Sequence, residues 1–282
     1  MPFHDQHVHS NQSVDSQADP AECVENALNH GLSGITFLEH FDPHPAEWDE
    51  CIYDDQRYSA TIESLRSDSG NRLFIGKGIE VGYCRDRMDF ALDFLSRHQF
   101  DLVMLSDHFF EDRALHVREE WAGLDATEGT RRFLQEMLEV ARFCESVHQG
   151  GHHVFHVLGH LDLAKRYTSR FFDTNATPLC SDLIDEILRT CIAANLVPEI
   201  NTSTLRQGLD EPMPGIKTIV RYAKLGGTAM SIGSDAHLAE HVGADLDHAA
   251  RLLRAAGLNH VALFKDGKRI DVPLEQGCCD PL

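Results

Sequence analysis

The chain has 282 residues, 42% of them hydrophobic and 25% charged, and its 45 acidic against 25 basic side chains give a formal net charge of −20. Nothing in it approaches the roughly 18 uninterrupted apolar residues of a membrane span, and the charge argues against a nucleic-acid surface, which needs a basic stripe. The length suits a single α/β barrel, so one domain is expected over 1–282, with a core at about 3–264 and a short tail at 265–282.

The first strand is expected at 3–9 and carries Asp5-Gln6-His7-Val8-His9-Ser10. Alternate residues of a strand share a face, so His7 and His9 point the same way, the simplest chelate a strand offers a divalent metal. Asp19 as N-cap and Pro20 at the first helical position open a helix that Gly31 ends. A second strand at 34–39 stops at His40, and an acidic, aromatic loop with two prolines leads to a helix at 57–66. The third strand, 72–79, stops at Glu80; a helix at 88–97 precedes the fourth, 101–106, which stops at Asp107-His108. Residues 111–126 read as an excursion, followed by a helix at 127–148. The fifth strand, 154–159, stops at His160; a helix at 179–195 leads to the sixth, 197–201, which stops at Asn201. A helix at 215–225 precedes the seventh, 228–234, which stops at Asp235-Ala236-His237, and a helix at 246–256 and a short strand at 261–264 close the fold.

Strands alternating with helices indicate a parallel sheet. In a parallel barrel every strand's carboxyl end lies on one face, so these scattered residues converge. Six histidines (His7, His9, His40, His108, His160 and His237) with Glu80 and Asp235, and Asp15 from the first loop, are too many ligands for one zinc. Imidazoles with carboxylates suit zinc, iron or manganese, and a carboxylate can bridge two ions, so two or three metals are expected. Closely spaced metals acidify a bridging water and clamp the attacking and leaving oxygens of an in-line displacement, the usual machinery of phosphate ester hydrolysis. The other histidines lie on expected helices, in loops or away from the strand ends; of these, His44 and His241 are the ones in loops near that face.

The set His7-Val8-His9-Ser10, Asp15, His40, Gly78-Ile79-Glu80-Val81-Gly82, Ser106-Asp107-His108-Phe109, Gly159-His160-Leu161-Asp162 and Gly233-Ser234-Asp235-Ala236-His237 resembles the polymerase and histidinol phosphatase (PHP) family. The resemblance implies a distorted (βα)7 barrel with a trinuclear site. It puts His7, His9, Glu80 and Asp235 around one metal, His108 and His160 with the bridging Glu80 around a second, and Asp15, His40 and His237 around a third. The sequence departs from the family in Ser16, where glycine is common, and in Asp107, where a small apolar residue is frequent. Neither removes a ligand, though Asp107 could alter hydrogen bonding behind the ligands.

The segments 159–167 and 199–206 look most like the histidinol-phosphate phosphatase branch. That likeness implies a metal-dependent phosphomonoesterase acting on L-histidinol phosphate through a metal-bridging hydroxide, with no protein nucleophile. Arg206, and either Lys165 or Arg166, are then the phosphate contacts, a guanidinium reaching phosphate bidentately. Asp162 is open to orienting a ligand histidine or to a structural role, and Asp42 and Glu111 are among the loop acids open to pairing with a substrate ammonium. Other readings are a PHP phosphoesterase acting on nucleotides or diesters, an amidohydrolase, and a non-catalytic metal-binding domain. An amidohydrolase is expected to carry lysine and histidine where this chain has His108 and Asn201. The opening residues show no basic run followed by an apolar core, and the eight cysteines lack Cys-x-x-Cys spacing. A cytoplasmic setting with reduced cysteines is therefore expected, and Cys278 and Cys279 read as non-functional. The expected partner is a small phosphorylated substrate, not nucleic acid or membrane; oligomeric state stays open.

Overall fold

A computed structural model describes residues 3–46, 48, 53–149 and 153–274. Cys278 and Cys279 lie outside the described residues. In chain order the elements are β1 (His4–Val8), α1 (Pro20–Asn29), β2 (Gly34–Phe41), α2 (Asp55–Ser69), β3 (Phe74–Gly82), α3 (Met88–Ser96), β4 (Leu102–Ser106), the small hairpin β5 (Phe109–Phe110) and β6 (Arg113–Ala114), and α4 (Ala126–Gln149). Then follow β7 (Val157–Leu158), α5 (Ala164–Phe172), α6 (Ser181–Ala194), β8 (Val197–Asn201), the single turn α7 (Ser203–Arg206), α8 (Ile216–Lys224), β9 (Ser231–Gly233), α9 (Leu246–Ala255), β10 (His260–Lys265) and β11 (Lys268–Pro273).

Seven strands form one parallel sheet in the order β1-β2-β3-β4-β7-β8-β9. The sheet nearly closes where β1 meets the segment after β9: Asp235 N–H donates to His7 O (2.7 Å) and His9 N–H to Ala236 O (2.9 Å). It is a distorted (βα)7 barrel, as expected. Leu38, Leu102, Met104, Val157, Val197, Ala229, Ala262 and Phe264 form one buried cluster, while the larger core lies between strands and helices. The period-2 alternation of the strands makes this division: on β8, Val197 belongs to the small cluster and Ile200 to the larger core. Among the described residues no helix is long and apolar enough to cross a membrane.

Local chemistry accounts for the element ends. Asp19 accepts from Ala21 N–H and Glu22 N–H, with Pro20 next to it, so α1 starts where the cap predicts. Three expectations change. The fifth strand shrinks to Val157–Leu158, because the His156 ring itself accepts the Val103 N–H (2.9 Å) and replaces a ladder bond with a side-chain bond. The stretch between His160 and 179, to which the sequence reading assigns no element, holds α5, with Lys165 and Thr168 on its buried side. The presumed tail begins with a strand, since β11 pairs antiparallel with β10 from His260–Pro273 to Lys265–Lys268. That hairpin is tied to the amino ends of the barrel strands: Gln6 donates to Ala262 O (2.7 Å) and accepts from Phe264 N–H (3.1 Å), and Asp101 accepts from Asp266 N–H (2.9 Å).

Candidate metal centre

The carboxyl ends of the strands bring all nine expected ligand residues together. His7 and His9 leave β1 on the same face, fully buried, with their Nε2 atoms 3.0 Å apart. Glu80 Oε2 lies 3.2 Å from His7 Nε2 and 3.3 Å from His9 Nε2, and Asp235 Oδ1 lies 3.7 and 3.5 Å from the same two atoms. The other oxygen of Glu80, Oε1, is 3.0 Å from His160 Nε2 and 3.6 Å from His108 Nε2. Towards solvent, Asp15 Oδ2 sits 3.5 Å from His40 Nε2 and 3.0 Å from His237 Nε2. Asp15 is half exposed and His237 about a third, so this is the open side of the cluster.

A tetrahedral ion with ligands about 2.1 Å away separates its ligand atoms by about 3.4 Å, and the distances above fall around that value. Within single groups, His7-His9-Asp235, His9-His40-His237 and His40-Glu80-His108 each offer ligand atoms within 4.8 Å of one another. His9 and His40 therefore stand within reach of more than one position. The donor set of imidazoles and carboxylates fits divalent transition metals.

The electrostatics fit the same reading. Burial alone would lower the imidazoles of His7, His40 and His108, but the facing carboxylates (Glu199, Glu80 and Asp235 for His7; Glu80, Asp15 and Asp42 for His40; Asp42 and Glu80 for His108) outweigh it and hold all three well above the ordinary histidine value. Burial would likewise raise Glu80 and Asp235; the histidines, with Arg166 beside Asp235, pull both well below the carboxylate range. Such charge pairing is what a cation held in place of protons would satisfy.

The backbone at the last strand end is unusual. Asp235 has φ +54°, in the left-handed region that a non-glycine residue seldom adopts. Buried Asp5 holds the preceding residue, accepting from Ser234 N–H (2.9 Å), Ser234 Oγ–H (2.5 Å) and Gly243 N–H (2.7 Å). The strain is thus fixed by a neighbouring network at a site residue.

Outside the nine, the structure corrects several expectations. Asp42 is buried at the centre, 3.2 Å from His40 Nδ1 and 3.3 Å from His108 Nδ1, so it holds two imidazoles and is not displayed for a substrate ammonium. Glu111 pairs with Arg132 (2.9 Å). Asp162 bonds Lys165 Nζ (3.1 Å), and, besides Asp42, a carboxylate outside the nine that contacts a ligand histidine is Glu199, whose Oε1 accepts from His7 Nδ1–H at 2.6 Å. Asp107 accepts from Phe109 N–H (3.0 Å). His44 stacks on Phe109, ring centroids 3.7 Å apart, and His241 stands 3.9 Å from Glu240.

The three expected phosphate contacts part company. Lys165 is fully buried on α5 and engaged by Asp162, by Glu211 (3.3 Å) and by Pro212 O. Arg166, the next residue, turns to the centre and donates to Asp235 Oδ2 (3.2 Å) and Ser203 Oγ (2.5 Å). Arg206 donates to the carbonyls of Ser234 (2.7 Å) and Asp235 (3.3 Å). Each arginine keeps a buried N–H with no protein acceptor, Arg166 at Nε and Arg206 at Nη1. Next to Arg166 and Tyr167 opens a cavity of about 1250 Å³, whose walls include Asn175, Asp210 and Lys217.

Comparison with known proteins agrees with this picture. A histidinol-phosphatase of Lactococcus lactis is 27% identical over 272 residues, 95% of this chain and 96% of the relative. The crystal structure of histidinol phosphate phosphatase from that organism, complexed with Zn, L-histidinol and phosphate, superposes with a TM-score of 0.82 at 25% identity, covering 95% of this chain and 98% of that one. A structure from Listeria monocytogenes (TM-score 0.73, 19% identity, 87% and 99% covered) shares the fold. The model of the PHP domain matches residues 5–203, and the chain belongs to the PHP domain family.

Proposed function

We propose that this protein is a metal-dependent phosphatase that hydrolyses L-histidinol phosphate to L-histidinol and phosphate. Its coextensive likeness to a histidinol-phosphatase, and to a structure holding Zn, histidinol and phosphate, supports the substrate. The observation that carries the chemistry is the pair of guanidinium groups, Arg166 and Arg206, bonded to the side chain and backbone of one candidate ligand, Asp235.

In this reading His7, His9, Glu80 and Asp235 hold one ion, Glu80, His108 and His160 a second, and Asp15, His40 and His237 a third, with zinc, iron or manganese the fitting metals. Divalent ions there lower the pKa of water and neutralise charge on the attacking and leaving oxygens. The protein's part is to hold the ester in line. Arg166 and Arg206 bind the equatorial phosphate oxygens, and Arg166 takes that role over Lys165, whose ammonium is already engaged. Water is the nucleophile, and no covalent protein intermediate forms. A cytoplasmic setting suits the reading, the described cysteines being free thiols.

The test is steady-state phosphate release by metal-replete protein from L-histidinol phosphate, p-nitrophenyl phosphate, nucleoside monophosphates and a phosphodiester, with His160→Ala as control. Preference for histidinol phosphate, lost in the variant, is expected. Inertness there with turnover of a nucleotide or diester would refute the substrate while sparing the metal centre.

A further inference from the structure

Glu199 lies on β8, where Val197, Glu199 and Asn201 share one face and Pro198 and Ile200 the other. The carboxylate is fully buried. A charge in that position is costly unless each oxygen is satisfied. Oε1 accepts from His7 Nδ1–H at 2.6 Å, while Oε2 accepts from the backbone N–H of His160 at 3.0 Å and from Asn201 Nδ2 at 3.4 Å. One carboxylate therefore grips two candidate ligands that come from well-separated places in the sheet order, β1 at its start and the segment after β7, the fifth strand.

We propose that Glu199 is a positioning residue of the metal centre: it fixes the His7 imidazole with Nδ1 protonated and Nε2 presented to the ion, and clamps the His160 backbone so that its Nε2 meets Glu80. The inference rests on the metal-centre reading above. Its geometric counterpart is Gly233 on the adjoining strand, paired in register with Asn201. A Cβ at Gly233 would stand 2.2 Å from His7 Cβ and 2.8 Å from Glu199 Oε1, so only glycine lets strand, imidazole and carboxylate approach this closely. Glutamine in place of Glu199 keeps the shape but offers one acceptor oxygen where donors must be met at both carboxylate oxygens. Either the His7 ring or the His160 N–H then loses its partner.

The experiment compares wild type, Glu199→Gln and Glu199→Asp for zinc content and for zinc affinity by chelator competition, with thermal unfolding in excess zinc as the check of fold. Loss of an outer hydrogen-bond partner of a metal-bound histidine typically costs about 10- to 100-fold in metal affinity. The expected result is a loss of that size in Glu199→Gln and a smaller one in Glu199→Asp, with KM for the ester changed less than about threefold and kcat recovering as zinc is raised. If both variants bind zinc as wild type does and only the melting temperature falls, Glu199 is a structural carboxylate and the proposal fails alone. Wild-type protein without tight zinc binding would overturn the proposal and the metal centre together.

Discussion

Lys165 and Arg166 are adjacent, both cationic and interchangeable on sequence alone, yet their substitution should fail in different ways. The Lys165 ammonium is fully buried and lies 3.1 Å from Asp162 Oδ2, itself 1% exposed, with Glu211 and Pro212 O completing its contacts. Lys165→Met keeps the aliphatic stem but leaves Asp162 as a buried charge with no cation beside it. Removing one partner of a buried pair costs about 3–5 kcal/mol, a large part of the roughly 5–15 kcal/mol that holds a domain together. Burial already raises the Asp162 carboxyl, so without Lys165 it takes up a proton more readily, which places the expected loss near the lower bound. Equilibrium urea unfolding of metal-replete protein at neutral pH measures it, and Asp162→Asn in the Lys165→Met background should return part of the loss. KM for the phosphate ester should stay within about twofold for the folded protein. Arg166→Met should do the reverse: a charge-assisted hydrogen bond is worth about 1.5–3 kcal/mol, so kcat/KM should drop about 10- to 150-fold with a smaller change in stability. A Lys165→Met protein as stable as wild type but with a greatly raised KM would refute the reasoning.

Gly233→Ala should destabilise by about 1–3 kcal/mol through overpacking against His7, and zinc content should fall with it; an alanine variant with wild-type melting and metal would show that the strand end yields at no cost. Stripping metal with a chelator should lower the melting temperature, since an ion present at about 100 times its Kd contributes about 2.7 kcal/mol; an unchanged melting point would remove the cluster's claim to a bound ion. His4 and His156 are buried and pushed down to about 4, chiefly by burial. Between that value and 6.5 the unfolded chain binds the protons that the folded chain refuses, so each histidine's contribution falls as pH drops through the window, by up to about 3 kcal/mol in all. Urea midpoints from pH 7 to 4.5 should fall less steeply in His156→Gln than in wild type; parallel slopes would count against the assignment.

The candidate metal centre is legible because eight of its nine residues sit where a parallel barrel must bring them, at the ends of strands whose apolar runs are plain, while Asp15 comes from the first loop. The period-2 pattern placed His7 beside His9, and β8 begins and ends where it was expected, at Val197 and Asn201. What escaped is what depends on the third dimension. Glu199 stands two residues before Asn201 on the same face, so a lone carboxylate in Val-Pro-Glu-Ile-Asn was an available signal, but its partners His7 and His160 lie 192 and 39 residues away. Asp42 follows His40 at the same spacing and was read as loop charge, since nothing local shows that it turns inward. Lys165 illustrates the opposite limit: the sequence leaves the choice between Lys165 and Arg166 open, and nothing local shows that the Lys165 ammonium is the buried one, held by Asp162 and Glu211. The shortened β7 follows from the His156 ring, whose acceptor substitutes for a backbone carbonyl in a way no propensity records.

A chain of net charge −20 that binds a phosphate ester needs a local reversal of sign. The centre gathers the carboxylates of Asp15, Asp42, Glu80, Glu199 and Asp235, most of them buried, against Arg166 and Arg206. With the imidazoles neutral, as metal ligands must be, these seven groups leave a negative balance for the ions to offset; without metal, the raised imidazoles of His7, His40 and His108 carry protons and offset it instead. In the proposed reading two or three divalent ions would reverse that balance, because their charge roughly equals or exceeds that of the carboxylates and the arginines then tip it positive. In that reading the ions and the two arginines together attract the substrate, over the few ångströms where burial leaves charge least screened. The acidic surface around it is then compatible with an anionic substrate, because the positive charge of the proposed ions and of Arg166 and Arg206 is concentrated at the centre.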